Sequence, residues 1–171
     1  MKDNQFKLFP FTINDKFKAE DVNEIPLGVS MIKAPEFWGK GNKGKDVKIA
    51  IIDTGCDINH PDLNGRIIGG KNFTSDDNAD PDKFNDYSGH GTHVAGTIAA
   101  IENGKGVVGV APESSLLILK ALAGKDGVGD YDWVINAINY AVEQKVDVIS
   151  MSLSGANDVL ELHESDRKSV V

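Results

Sequence analysis

The sequence has 171 residues, 40% apolar and 26% charged, a balance that suits one domain with a packed core and excludes a largely disordered chain. A formal net charge of −8, with lysine and arginine outnumbered and scattered, excludes the basic footprint of a nucleic-acid binder and disfavours an anionic membrane surface. No stretch approaches the ~20 apolar residues of a membrane span, the first residues carry no apolar leader, and the single cysteine, Cys56, excludes an internal disulfide, so a cytoplasmic protein is expected.

Residues 1–24 are polar, with Phe6, Phe9, Phe11 and Phe17 at no fixed period, and read as an arm rather than a core element. Within the arm, Pro10 holds Phe9 extended, so Leu8-Phe9-Pro10-Phe11 is predisposed to lie as a strand in a groove. Residues 25–171 are expected to form the domain. An amphipathic segment from Pro26 to Trp38 runs into a glycine-rich basic turn at 39–45, and Val47 to Ile52 then forms a nearly continuous apolar run. Such a run suits a central parallel strand, which places Asp53 at a carboxyl end, where open α/β sheets keep their functional groups. The loop 57–63 is fixed by Pro61 and carries oxygen ligands, with His60 as a turn residue and Cys56 as a small buried one. Ile67 to Phe73 reads as a second strand. Ser75 to Asp82 gathers four carboxylates in eight residues and reads as a solvated loop.

Gly89-His90-Gly91-Thr92-His93-Val94-Ala95-Gly96-Thr97 places an imidazole where turn residues give way to a helix of small side chains. His90 is a candidate general base, and Asp53, 37 residues upstream, is the candidate partner that fixes its tautomer; His93 reads as a packed helix residue. Ser115 to Ala121 is a further buried strand, and Asp130 is placed to cap a helix whose Val134, Ile135, Ile138, Ala141 and Val142 recur with helical period. Val146 to Leu153 reads as the last strand, followed by the start of another helix over Asp158 to His163. The alternation implies an α/β fold, a doubly wound, mainly parallel sheet with flanking helices, incomplete at its carboxyl side.

Ile51-Ile52-Asp53-Thr54-Gly55, followed by the His90 segment, resembles the aspartate and histidine signatures of the subtilisin family of serine proteases. Met151-Ser152-Leu153 is similar to that family's substrate-binding strand, and the resemblance runs over roughly residues 25–160. It implies a serine endopeptidase acting on polypeptides, with Asp53 and His90 as two triad members. The family's Gly-Thr-Ser-Met-Ala nucleophile segment does not occur in this sequence, so the chain is expected to be a truncated form, inactive alone. A non-catalytic pseudoprotease or a complementing fragment is the alternative. The resemblance further implies that Gly127-Val128-Gly129 and Ser152-Leu153-Ser154 are two edges between which an extended substrate pairs. Ser154 stands where the family has glycine, which would narrow the groove or bar a positive φ. A structural calcium ion is implied too, held by Asp62 and Asn103 and by the carbonyls of Ile101, Lys105 and Val107. Leu8-Phe9-Pro10-Phe11 resembles the inhibitory extension of intracellular members, whose full-length forms are expected as homodimers. Asp53-Thr54-Gly55 also resembles the triplet of aspartic proteases, but those need two carboxylates and only one such triplet occurs.

Overall fold

In the computed structural model, which describes residues 5–8 and 24–155, the frame is a sheet of four parallel strands. Strand β2 (Lys48–Asp53) lies at its centre, between β4 (Ser115–Lys120) and β6 (Val148–Met151), and β3 (Ile67–Asn72) pairs with the far side of β4. Parallel strands need crossovers, and two helices supply them here. Helix α3 (His90–Ala99) lies between β3 and β4 in the chain, and α4 (Tyr131–Glu143) between β4 and β6.

The period-two geometry of a strand explains why the central runs are apolar at every position. Ala50, Ile52, Leu117 and Leu119 cluster with Val134, Ala137, Ile138 and Ala141 of α4. Ile49, Ile51, Leu116 and Ile118 cluster with Ala95 and Ala99 of α3 and with Leu63 and Cys56. Each large side chain so buried contributes roughly 1.5–3 kcal/mol. At the sheet's edge β6 is less covered, with Val148 48% and Met151 38% exposed. The strand is also shorter than its apolar run: Asp147 precedes it, and its carboxylate accepts the Lys48 N–H instead.

Upstream, the amphipathic segment divides into α1 (Leu27–Met31) and α2 (Ala34–Trp38), because Lys33 takes a left-handed conformation and Pro35 starts a new helix. Val29, Ala34 and Trp38 bury against Val108, and the Trp38 indole donates to the Val110 carbonyl at 2.9 Å.

A second, antiparallel sheet corrects the reading of the arm as no part of the core at its described residues 5–8. Strand β1 (Gln5–Lys7) lies between β5 (Val128–Asp130) and β7 (Ser154–Gly155). Phe6 and Leu8 belong to the cluster packed on α4, and the Phe6 ring sits 4.5 Å from that of Tyr131. A three-residue strand pairing with residues over a hundred positions away leaves no periodic trace in the sequence. Phe9, Pro10 and Phe11 lie outside the described residues, as does the expected helix over Asp158 to His163. Asp130 precedes α4 but makes no side-chain cap; its carboxylate accepts from the Gln5 amide at 2.9 Å.

Candidate active site

The carboxyl end of β2 meets the amino end of α3, and there His90 Nδ1 stands 2.8 and 3.0 Å from the two carboxylate oxygens of Asp53. Asp53 is 1% exposed and also accepts the Thr54 N–H at 2.7 Å. Burial pushes its carboxyl above the ordinary range, and the hydrogen bonds from His90 and Thr54 only partly offset that. With Nδ1–H directed at a carboxylate, proton transfer to or from a reacting group falls to Nε2. The carboxylate also supplies the counter-charge that an imidazolium at a helix amino terminus needs.

The approach of these elements is set by Gly91 and Thr54. A Cβ at position 91 would overlap the Gly55 carbonyl oxygen, so only glycine lets the first turn of α3 lie on the Asp53 turn. Thr54 Oγ1 accepts the Gly91 N–H at 2.9 Å and donates to Asp86 at 2.8 Å. Asp86 also accepts the N–H groups of Ser88, Gly89 and Thr92 and the Thr92 hydroxyl. Burial alone would raise the Asp86 carboxyl, but the donors from Thr92, Gly89 and Thr54 outweigh it and hold the group below the usual carboxylate range. The one sequence signal for Asp86 is a carboxylate three residues before the glycine that precedes the helix.

Other residues fall into place around this pair. Cys56 is fully buried, and burial pushes its thiol up to about 12, which marks it as an inert packing group. His60 accepts the Asp62 N–H through Nδ1, as a turn residue does. His93 is not packed, contrary to expectation: the buried stripe of α3 is Gly91, Ala95 and Ala99, and His93 lies off it, exposed, lining a cavity of about 780 Å³ with Val29, Thr92, Gly96 and Val108.

The expected substrate edges bracket β1. Leu8 N–H donates to the Gly127 carbonyl at 3.2 Å, while Phe6 pairs with Gly129 on one side and Gly155 on the other. Ser154 neither takes a positive φ nor closes the groove: it pairs with Lys7, and its hydroxyl donates to the Lys7 carbonyl at 3.4 Å. Ser152 and Leu153 are half-buried between β6 and β7, with Val128 opposite Lys7.

The acidic loop is not simply solvated, because Asp76 pairs with the buried Lys120 at 3.0 Å and accepts the Gly124 N–H at 2.9 Å. The loop 101–107 folds onto Asp62: Ile101 N–H donates to the Asp62 carbonyl at 2.8 Å, and Val107 N–H and the Asn103 amide reach its carboxylate at 3.3 and 3.4 Å. A Cβ at Gly106 would overlap that carboxylate. Glu24, which sequence reading passed over, accepts the N–H groups of Asn103 and Gly104. Asn103 turns its amide nitrogen to Asp62 while its Oδ1 accepts the Lys105 N–H at 2.9 Å, and among the described residues no group of three or more His, Cys, Asp or Glu side chains gathers, so an ion at Asp62 would draw on amide and carbonyl oxygens besides that one carboxylate.

Comparison with known proteins agrees with this geometry. A family model described as the Subtilase family matches residues 44–169. The chain is 58% identical over 166 residues to the Major intracellular serine protease of Bacillus subtilis (strain 168), a match that takes in 97% of this chain and 51% of that protein. It is 64% identical over 153 residues to the Intracellular serine protease of Paenibacillus polymyxa, covering 90% of this chain and 46% of the other. Subtilisin E of Bacillus subtilis (strain 168) is 47% identical over 141 residues, 82% of this chain and 35% of that protein. The chain thus spans about half the length of the two intracellular relatives it matches.

Proposed function

The chain belongs to the subtilase family, and from that premise we propose that it is the amino-terminal part of an intracellular serine endopeptidase, supplying the acid and base of the catalytic triad. The observation that carries this reading is the His90 Nδ1–Asp53 contact at 2.8 Å, at the carboxyl end of a central parallel strand. In hydrolysis a serine attacks the peptide carbonyl, His90 Nε2 takes its proton and returns it to the leaving amine, and Asp53 orients the ring and stabilises its cation. The matched part of the family holds no Gly-Thr-Ser-Met-Ala segment here, so that serine must come from the remaining half.

Substrate polypeptide pairs as an extra strand between Gly127-Val128-Gly129 and Ser152-Leu153-Ser154, the position that β1 fills. Residues 1–24 form an inhibitory extension to a peptidase domain that starts at 25, with Leu8-Phe9-Pro10-Phe11 as its inhibitory segment. A structural calcium ion would be held by Asp62 and Asn103 with the carbonyls of Ile101, Lys105 and Val107, and would supply a charge that stiffens the loop after α3. The test is peptide hydrolysis by the purified chain alone and by the chain joined to a carboxyl-terminal half of the family that carries the nucleophile. Turnover by the joined protein and none by the chain alone is expected; turnover by the chain alone would overturn the reading.

A further inference from the structure

The most unusual buried group outside the triad pair is Lys120, the last residue of β4, which has no exposed surface. Burying an ammonium is costly unless its donors are met, and an apolar side chain of similar volume is often as stable or more so in such a place. Its partners are therefore informative. Nζ donates to the Thr54 carbonyl at 2.6 Å, pairs with Asp76 at 3.0 Å and stands 5.1 Å from the centre of the Tyr87 ring.

Thr54 is the residue on which the candidate site turns. Its N–H donates to the Asp53 carboxylate, its hydroxyl bridges Asp86 and the Gly91 N–H, and its carbonyl accepts from Lys120. Lys120 stands in register opposite Asp53, and the two residues after it, Ala121 and Leu122, both donate their N–H groups to the Asp53 carbonyl. On its other side Asp76 accepts the Gly124 N–H, in the loop that leads to Gly127 on the groove edge. We infer that Lys120 is a positioning residue, whose ammonium, held between the Thr54 carbonyl and Asp76, fixes the Asp53–Thr54 turn beneath His90 and ties it to the loop of the groove edge. Without that anchor the Thr54 carbonyl loses the Lys120 donor, and the Asp53–Thr54 turn is held only by its contacts with Gly91 and Asp86, which weakens the direction of the carboxylate toward Nδ1.

This inference rests on the proposed role of Asp53 and His90, and the experiment separates the two. The probe is the downfield proton resonance of His90 Nδ1–H in its hydrogen bond to Asp53, recorded on the whole chain. Its absence from the unmodified chain would contradict the catalytic reading itself. Lys120→Met alone leaves Asp76 unpaired and endangers the fold, so the informative variant is Lys120→Met with Asp76→Asn, which removes the pair together and leaves net charge unchanged. Asp76→Asn alone keeps the donor to Thr54. The resonance is expected to survive in Asp76→Asn and to be lost or broadened in the folded double variant. Its persistence in the double variant, its equal loss in Asp76→Asn, or a double variant that fails to fold would each overturn the inference, the last because the pair would then serve the fold rather than the site.

Discussion

Asp53 and Asp86 stand on either side of Thr54, the first buried and the second half-buried, and their environments push them in opposite directions. Asp86 collects N–H groups from Ser88, Gly89 and Thr92 and hydroxyls from Thr54 and Thr92, so its charge is fully solvated by the protein. Asp53 has the Thr54 N–H and the His90 ring, and burial wins. The first is a structural carboxylate that builds the turn before α3. The second is kept short of donors, so that its charge is directed at one imidazole, the arrangement expected of a group whose task is to stabilise a cation formed during reaction.

That contrast is broken most strongly at Asp86. Asp86→Ala orphans the Gly89 and Thr92 N–H groups and is expected to cost about 3 kcal/mol in chemical denaturation. Because the folded carboxyl lies below its unfolded value, the wild type's advantage is fully present above about pH 4 and shrinks as pH falls through the folded value. A difference that stays constant down to pH 2 would contradict the assignment. Gly91→Ala follows, since a methyl group there meets the Gly55 carbonyl; a loss of about 2 kcal/mol is expected, together with loss of the His90 Nδ1–H resonance. The smallest effect carries the opposite sign. Asp53 lies above its unfolded value, so its ionised form costs stability at neutral pH, a cost absent below about pH 4 and growing as pH rises through the folded value. Asp53→Asn is therefore expected to raise the melting temperature slightly at pH 7 and to leave it unchanged at pH 3.

The centre of the parallel sheet was legible because the runs of β2 and β4 are almost continuously apolar, and Ala50, Ile51 and Ile52 show why: α4 covers one face and α3 the other. Asp53 was legible because it ends such a run, and His90 because it opens a helix of small residues after a turn. What escaped was set by tertiary contact alone. The packing of Phe6, the cationic partner of Asp76, the exposure of His93 and the diversion of Asp130 from capping to Gln5 depend on neighbours distant along the chain. Lys120 illustrates the limit best: a lysine ending an apolar strand looks like a residue emerging into water, and only the position of Thr54 and Asp76 shows that it does not.

The proposed function is that Asp53 directs His90 toward a nucleophile supplied by the other half of the family's domain. The direct measurement is peptide hydrolysis by the chain joined to such a half, with Asp53 intact and as Asp53→Asn. The account predicts a fall in kcat of about 10⁴-fold with KM little changed, the loss general to serine proteases when the triad acid no longer holds the histidine tautomer. A fall of less than about tenfold in a folded protein would contradict it.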